Sequence, residues 1–303
     1  MSNNCLLSII VVALNEEKRL PPLLKSISNE ADDDVEIVLI DNGSSDNTYR
    51  IMQEYARNHR NVKTTVITGP LGYAWNEALK IANCEYVMFL GADMYLPRGW
   101  YGRIRKLLTN NYDAIVAKLI PLFRYQGPLT NYNLAYFLGD TAKEGPWREP
   151  TFHSGGLIVR RDAALKIGFK PLPTSEDGEF SFRFLRAGCK AYYFPRQHYV
   201  LDEQYYDVRT MISYYKKLGT SLIVLLRSTG SVSILKMMIK TVLEPLTPHY
   251  LITRYRKARK YVDVKYGTWV MIGLLRIYAM LTSIILHTIL MKPIPQKITR
   301  AKL

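Results

Sequence analysis

Three groups of carboxylates in this 303-residue chain stand where a predicted structural element begins or ends. Asp41 closes the apolar segment VEIVLID, and Asp93 closes EYVMFLGAD. Glu176 and Asp177 open the segment SEDGEFSFRFLRAG. Carboxylate oxygens can accept a hydrogen bond from a nucleobase N–H, ligate Mg²⁺ or Mn²⁺, or take a proton from an attacking hydroxyl group. These acids are therefore the first candidates for a functional site.

Alternating segments predict the elements that carry these acids. The predicted strands are continuous apolar runs at 6–14, 35–41, 62–69 and 85–93, and the predicted helices between them cover 16–27, 44–59 and 72–82. This order predicts an α/β fold with a mostly parallel central sheet flanked by helices. Ligands bind at the carboxyl ends of the strands in such sheets. The polar clusters at 15–17, 41–43 and 91–93 are therefore expected to share one site.

Further elements are predicted up to residue 207. They are strands at 112–122 and 190–195, a strand, turn and helix over 152–168, and a helix at 175–188. Residues 123–152 are aromatic and contain Gly and Pro, which favours a mobile substrate loop. After residue 208 the segments have helical spacing. We therefore expect an α/β domain over 1–207 and a helical region over 208–303.

Most of the formal net charge of +15 lies in the last third of the chain. Residues 201–303 contain 17 Lys and Arg against 5 Asp and Glu, whereas residues 1–200 contain 24 against 21. A basic cluster at 254–265 precedes the apolar segment 268–291, which is long enough to span a bilayer. This predicts interfacial and transmembrane helices with a basic cytoplasmic patch. A buried amphipathic helix is the alternative, because Arg276 interrupts the apolar segment.

The three cysteines give no sign of a crosslink. Cys5, Cys84 and Cys189 are far apart and show neither a disulfide framework nor a metal-ligand spacing. This favours a reducing compartment. The apolar run at 6–14 lacks the basic start of a secretory signal, so it is interpreted as a strand.

The order of several motifs resembles the family 2 glycosyltransferases, which have the GT-A fold. The likeness covers residues 5 to 200 and rests on ALNEEKRLPPLLKSI, VLIDNGSSDNT, GYAWNEALKIA, YVMFLGAD, FHSGGLIVRR and SEDGEFSFRFLRAG. The basic helical tail is similar to the membrane-associated branch that includes dolichyl-phosphate mannosyltransferases and cellulose-synthase-like enzymes. The resemblance implies inverting transfer of a sugar from a nucleotide diphosphosugar.

The resemblance also implies which residues bind the nucleotide. They are Leu14, Glu16, Asp41, Ala92 and Lys118. Asp41 could accept from a base N–H, and helix capping is the alternative role for this residue. Glu16 could instead stabilise a helix dipole in the first turn.

The implied cofactor is a divalent metal ion, Mn²⁺ or Mg²⁺. The family pattern Asp-x-Asp is here Gly91-Ala92-Asp93, so Asp93 is the predicted ligand and one carboxylate is missing. His198 is the candidate second ligand, although a lone histidine is more often structural. The metal would neutralise the departing diphosphate as a Lewis acid. The family usually has an arginine where this chain has Trp75, which removes one phosphate contact.

The resemblance assigns the general base to Asp177, with Glu176 beside it. An ordinary helix start is the alternative for this acidic pair. The residues that could hold the diphosphate or the acceptor are Gly155, Gly156, Arg209, Lys216 and Lys217. A plain tight turn is an equal interpretation of the two glycines.

These residues predict a metal-dependent glycosyltransferase with GDP-mannose as the favoured donor. The expected acceptor is a polyprenyl phosphate or a polyprenyl-linked glycan at the membrane, and a base such as Asp177 favours a hydroxyl acceptor. One alternative is a soluble UDP-sugar transferase acting on polysaccharide or protein. Another is a membrane-tethered binding protein whose site has decayed at Gly91. Nucleic acid is not an expected partner, because the basic residues alternate with long apolar runs.

Overall fold

The computed structural model describes residues 5–32, 34–123, 127–132, 143–153, 155–203, 207–247, 249–259 and 263–288, without the side chains of 121, 123, 196–203 and 258. The chain forms two compact units. The sheet unit contains residues 1–119, 143–171 and 176–202, and the helical unit contains 120–142, 172–175 and 203–303. The predicted domain boundary at residue 207 stays a prediction.

Four parallel strands form one half of the sheet, as the sequence predicts. They are β1 (Leu7–Ala13), β2 (Val35–Asp41), β3 (Val62–Val66) and β4 (Tyr86–Leu90), in the spatial order β3-β2-β1-β4. Every residue of β2 and β4 is buried, which explains their continuous apolar sequences. The register pairs Ala13 with Asp41, and Val11 with Leu90. The carboxyl ends of these strands therefore meet at one edge.

The other half of the sheet is antiparallel. Its strands are β5 (Met94–Tyr95), β6 (Ala114–Phe123), β7 (Gly145–Pro146), β8 (Leu157–Arg160) and β9 (Ala191–Glu203). Strand β8 pairs with β4 and β6, and β9 pairs with β5 and β7. Strand β9 extends well beyond the predicted end at 195 because its residues 200 and 201 pair with β5. The loop predicted over 123–152 lies partly outside the described residues.

Helices cover both faces of the sheet. They are α1 (Leu20–Glu30), α2 (Thr48–Arg57), α3 (Leu71–Ile81), α4 (Trp100–Leu108), α5 (Arg161–Ile167) and α6 (Glu176–Arg186). Helices α1 and α4 pack over the face that contains Ile9 and Val11, and α3, α5 and α6 pack over the face that contains Ile10. The predicted α/β class with flanking helices is confirmed.

The helical unit consists of α7 (Val208–Thr229), α8 (Val232–Leu243), α9 (Tyr255–Ala258) and α10 (Tyr266–Thr288), with short irregular turns at Glu244–Leu246 and His249–Arg254. Helices α7 and α10 approach closely at Gly219, where an added Cβ would lie 2.7 Å from the carbonyl oxygen of Met280. The adjacent Thr220 shares a hydrogen bond of 2.6 Å with Ser283 of α10. Within the described residues, α10 is the one helix whose length and composition would allow it to cross a membrane.

The cysteine prediction is wrong for two of the three residues. Cys5 and Cys84 form a disulfide with a Cα–Cα distance of 4.6 Å. Because β1 and β4 pair with Leu7 opposite Tyr86, the residues two positions earlier on each chain segment are neighbours. Their separation of 79 positions hides this contact in the sequence. Cys189 remains free and half-buried.

Candidate active site at the carboxyl edge of the sheet

Asp41, the last residue of β2, is buried with one oxygen left for a ligand. Its Oδ2 accepts hydrogen bonds from the backbone N–H groups of Gly43 and Ser44, both at 3.0 Å. Its Oδ1 is buried and has no hydrogen-bond partner among the described residues. A buried carboxylate oxygen without a partner is costly unless a bound group supplies a donor. Asp41 can therefore accept from a ligand N–H or O–H.

The loop after β1 is held against the loop after β2. The backbone N–H of Asn15 donates to Ser44 Oγ at 2.9 Å, and Asn15 Oδ1 accepts from the backbone N–H of Ser45 at 2.8 Å. Asn15 has φ +57°, a left-handed conformation that asparagine tolerates better than most residues. The bracing holds Leu14, which is 43% exposed, and the half-buried Glu16 at the same edge as Asp41.

Glu16 already has a protein partner. Its carboxylate lies 3.5 Å from the guanidinium of Arg19, and its backbone N–H donates to Thr48 Oγ1 at 2.7 Å. The other predicted nucleotide contacts are Ala92, buried just beyond β4, and Lys118, half-buried on β6. The nucleotide roles of these residues stay predictions.

The structure gives a physical reason for Gly91. A Cβ at this position would lie 2.5 Å from Oδ1 of Asp93, so an aspartate here would force the Asp93 carboxylate to move. The turn that follows β4 is closed by a hydrogen bond from Met94 N to Gly91 O at 3.1 Å. The Asp93 carboxylate therefore occupies the space that a side chain at position 91 would need. This explains why the first carboxylate of the pattern is missing.

Gly155 connects this turn to a second part of the site. A Cβ on Gly155 would lie 2.5 Å from Cε of Met94 and 3.8 Å from Nδ1 of His153. Gly156 has φ +72° and its N–H donates to the carbonyl oxygen of Phe89 at 2.9 Å. The two glycines thus allow the start of β8 to pack directly on the end of β4. This packing explains the glycines without a ligand, and their predicted acceptor role stays a prediction.

Asp177 lies in the first turn of α6 with Glu176. Its Oδ1 accepts from the backbone N–H of Gly178 at 2.7 Å. The hydroxyl of Ser175, the residue before α6, donates to the carbonyl oxygen of Ser221 at 2.9 Å. The next acid, Glu179, is buried and paired with Arg183 at 2.7 Å and with Lys170 at 2.7 Å. Glu179 therefore has a structural role, while Asp177 remains half-buried at the helix start.

His153 is a site residue that the sequence analysis missed. Loss of hydration lowers the pKa of the His153 imidazole, and the charge of the Asp177 carboxylate acts in the opposite direction. The residue as a whole is exposed, so solvent weakens both effects. The imidazole also hydrogen-bonds the backbone of Gly155. Through His153 and Gly155, the Asp177 helix and the Asp93 turn become neighbours.

The residues that could hold a divalent metal are few. The described part of the chain contains no group of three or more His, Cys, Asp or Glu side chains arranged for a metal ion. Mg²⁺ is often bound by one or two carboxylates together with substrate phosphates, and Asp93 fits that kind of site. The backbone of His198 lies in β9, but its side chain lies outside the described residues.

The remaining predicted phosphate ligands belong to the helical unit. Arg209, Lys216 and Lys217 lie on α7, where the first two are exposed and Lys217 is half-buried. Their role in holding a diphosphate stays a prediction. Trp75, by contrast, packs in the core, with its ring 5.4 Å from Phe89 and 4.8 Å from Phe169 between centroids. The side chain at this position is committed to packing, in agreement with the loss of a phosphate contact.

Comparison with known proteins identifies the family. The family model described as glycosyl transferase family 2 matches residues 8–168, more than half of the chain. The chain therefore belongs to glycosyl transferase family 2. It is similar to the poly(ribitol-phosphate) β-N-acetylglucosaminyltransferase TarS of Staphylococcus aureus strain MW2, with 35% identity over 239 residues, 68% of this chain and 39% of the relative.

A second relative is a dolichyl N-acetyl-α-D-glucosaminyl phosphate 3-β-D-2,3-diacetamido-2,3-dideoxy-β-D-glucuronosyltransferase of Methanococcus voltae. It is 25% identical over 214 residues, which cover 61% of this chain and 63% of the relative. The chain thus spans less than two thirds of the length of these two curated relatives.

Solved structures share the fold. S. aureus TarS 1-349 in complex with UDP-GlcNAc matches with a TM-score of 0.56 and 17% identity, covering 93% of this chain and 91% of the other. The mannosyltransferase PcManGT from Pyrobaculum calidifontis, in complex with GDP-Man and Mn²⁺, matches with a TM-score of 0.58 and 18% identity, covering 91% and 86%. The predicted GT-A fold is confirmed.

Proposed function

We propose that this chain is an inverting glycosyltransferase that moves a sugar from a nucleotide diphosphosugar to a hydroxyl group of a polyprenyl-linked glycan. The observation that carries the proposal is the buried Oδ1 of Asp41, which lacks a partner in the described structure and lies at the same sheet edge as Asp93. One strand separates β2 from β4, so the ends of these two strands stand about 10 Å apart across the sheet. A nucleotide diphosphate is long enough to reach both.

The donor would bind with its base at Asp41 and its diphosphate at Asp93. Asp41 Oδ1 accepts from a base N–H, and the Leu14 loop covers the nucleotide. Asp93 is the residue that would hold Mn²⁺ or Mg²⁺. The metal would supply Lewis-acid neutralisation of the departing diphosphate. The Mn²⁺ complex of PcManGT supports this assignment by analogy of fold.

The acceptor hydroxyl would approach the face of the sugar opposite the diphosphate. Its oxygen forms the new bond to the anomeric carbon, the bond from that carbon to the diphosphate oxygen breaks, and the hydroxyl proton passes to the Asp177 carboxylate. His153 is a positioning residue for Asp177, since the charge of the Asp177 carboxylate acts on the imidazole and the imidazole is tied to Gly155. A polyprenyl phosphate acceptor would need no base, so it is the less favoured acceptor.

GDP-mannose is the donor that the resemblance favours, and UDP-linked sugars are the alternative. The GDP-Man complex of PcManGT supports the first, and the UDP-GlcNAc complex of TarS supports the second. A polymer acceptor is the second candidate, because TarS carries the name of a poly(ribitol-phosphate) transferase. The membrane proposal rests on the basic helical unit, whose charge favours the anionic cytoplasmic leaflet.

A donor panel tests the proposal. The full chain is incubated with GDP-mannose, UDP-GlcNAc or UDP-glucose, with Mn²⁺ or with chelator, and with polyprenyl phosphate, a polyprenyl-linked glycan or poly(ribitol phosphate). We expect metal-dependent transfer to the polyprenyl-linked glycan. Full activity in chelator would contradict the metal, and transfer to poly(ribitol phosphate) alone would contradict the acceptor. Failure of every donor under all conditions would favour a binding protein without transferase activity.

A further inference from the structure

The outward face of α10 is an apolar stripe without a protein partner in the described structure. Met271, Leu274, Tyr278, Leu281 and Ile285 are spaced three and four residues apart and are 55%, 51%, 61%, 37% and 45% exposed. No charged residue of α10 is exposed, since Arg276 and His287 are both buried. Soluble surfaces rarely present an apolar strip of this length, so the stripe marks an interaction surface.

The opposite face of α10 is the core of the helical unit. Trp269, Ile272 and Met280 are fully buried there. Arg276 lies near the middle of the helix, donates to the carbonyl oxygen of Thr241 at 3.1 Å, and stands 3.8 Å from the carboxylate of Glu244. The helix is therefore apolar on its outer side and polar contacts hold its inner side to α8 and the turn that follows.

These contacts determine the depth at which α10 could meet a bilayer. If α10 crossed the membrane, its midpoint at Arg276 would lie at the centre of the hydrocarbon. The end of α8 is tied to this midpoint through Thr241, so the neighbouring exposed Lys240 would be drawn into the hydrocarbon as well. Charged side chains at that depth are expensive unless they reach water. A helix lying in the membrane plane avoids this cost.

The charge of the helical unit fits a lipid surface of opposite sign. The described part of the helical unit exposes eight Lys and Arg side chains and one acidic side chain, Asp263. Two of the lysines, Lys236 and Lys240, alternate on α8 with the exposed Leu235 and Ile239. This combination of exposed apolar and basic residues is typical of helices that lie in the interface of an anionic membrane.

A shallow apolar depression lies on the same face of α10. It has a volume of about 590 Å³ and is lined by Tyr266, Val270, Met271, Leu274 and Tyr278, among others. Acyl chains fit such a lining, since it offers almost no hydrogen-bonding groups. A second copy of this chain could also cover the stripe with its own apolar stripe. The excess positive charge of the two copies would, however, oppose their association.

We propose that the helical unit is a monotopic membrane-binding surface, in which α10 lies along an anionic bilayer with its Met271–Ile285 stripe inserted and does not span it. The surface deepens the membrane part of the proposed function, and it requires no catalytic step. It also replaces the transmembrane interpretation of residues 268–291 with an interfacial one.

Vesicle flotation of the full chain tests the surface without any sugar donor. Vesicles of phosphatidylcholine are compared with vesicles that also contain phosphatidylglycerol. We expect binding to the anionic vesicles, and at least about tenfold weaker binding after Lys236→Glu with Lys240→Glu. Leu274→Glu with Leu281→Glu should abolish flotation. The matched control is Leu165→Glu on α5 of the sheet unit, which is 40% exposed and should float as the parent does.

Three results would overturn the proposal. One is protection of one end of α10 from protease in sealed vesicles while the other end is cleaved, which would indicate a spanning helix. Another is equal flotation of the parent and the Leu274→Glu, Leu281→Glu variant. The third is a parent chain that does not bind vesicles and forms a dimer in solution, with dissociation of the dimer in this variant. That result would assign the stripe to a second copy. Circular dichroism of each variant shows whether the helices remain folded. A failed donor panel with intact flotation would contradict the proposed reaction alone.

Discussion

The two ends of strand β2 bury carboxylates in opposite ways. At the amino end, the oxygens of Glu36 receive hydrogen bonds from Ser8 at 2.6 Å, from the Lys63 ammonium at 2.6 Å, and from the backbone and side-chain N–H groups of Asn83 at 2.7 Å each. At the carboxyl end, Asp41 has two backbone donors on one oxygen and none among the described residues on the other. Full pairing stabilises a fold, whereas an unpaired oxygen is available to a ligand.

The difference extends to the surroundings of each carboxylate. The amino edge around Glu36 also holds the disulfide between Cys5 and Cys84. The carboxyl edge instead holds glycines in close contact, Asp93 above Gly91 and Met94 beside Gly155. The amino edge is crosslinked and its carboxylate is fully hydrogen-bonded, whereas the carboxyl edge has a buried carboxylate oxygen without a partner among the described residues. Mutations at the amino edge should therefore lower stability, and mutations at the carboxyl edge should lower activity.

Asp177→Asn should give the largest effect on activity. Removal of a general base lowers kcat by about 10²- to 10⁴-fold, and the KM for the donor should change little. His153→Ala should lower kcat less, and His153→Gln should restore part of it, because glutamine keeps a hydrogen-bonding group near Gly155. Steady-state kinetics with saturating donor measure these values. An equal rise in KM for all three variants would instead point to donor binding.

Asp93→Asn should lower activity by about 100-fold or more, because charge stabilisation of the leaving group is lost. The thermal transition should stay within a few degrees of the parent. The matched control is Asp113→Asn at the amino edge, where the carboxylate accepts from the backbone N–H of Lys190 at 2.7 Å. That variant should lose stability and keep its activity. Loss of activity in both variants would contradict the division between the two edges.

Asp41→Asn and Glu36→Gln form the most direct test of the comparison. Asp41→Asn should raise the KM for the donor by about tenfold, since a hydrogen bond to a charged acceptor is lost. Glu36→Gln should lower the free energy of unfolding by about 1–3 kcal/mol, because a buried charged network is broken. Donor titration and urea unfolding of each variant give both numbers. The comparison fails if Asp41→Asn destabilises the chain as much as Glu36→Gln does.

The pH dependence of stability should show a smaller effect from the same carboxylate. Burial alone would raise the pKa of Glu36, but hydrogen bonds from Lys63, Ser8 and Asn83 outweigh it and hold the pKa below the ordinary 4.5. The stabilisation is therefore present above that value and is lost as the pH falls through the lowered pKa. Melting temperatures measured below pH 4.5 should fall more steeply in the parent than in Glu36→Gln. Parallel curves would contradict the paired state of Glu36.

Local patterns explain why several parts were predictable. The strand VEIVLID matches β2 residue for residue, because all of its side chains are buried and only a sheet interior accepts such a run. The helix predicted at 72–82 differs from α3 by one residue at each end. Since strand ends in a parallel sheet share an edge, Asp41 and Asp93 could be placed in one site from their positions alone.

Other parts depend on contacts that no local pattern records. His153 stands far from Asp177 in the sequence, and a single histidine gives no signal of its neighbour. The helix at 268–291 was expected to span a membrane from its composition, but the contacts of Arg276 with Thr241 and Glu244 show how its inner face is used. Composition gives the apolar content of a helix, and packing decides which face is exposed.

By itself, the sequence determined the strand and helix order of residues 6–93, the family, the edge that carries the candidate site and the basic character of the last third. The family follows from the order of its motifs, and the other features follow from local periodicity and composition, which a chain retains before it folds. Only the tertiary structure decided the pairing of Cys5 with Cys84, the position of the Asp93 carboxylate over Gly91, and the unpaired oxygen of Asp41. The disulfide depends on the register of β1 with β4, which brings two distant segments together. The other two depend on the conformation of the turns after β4 and β2, which composition and periodicity do not specify.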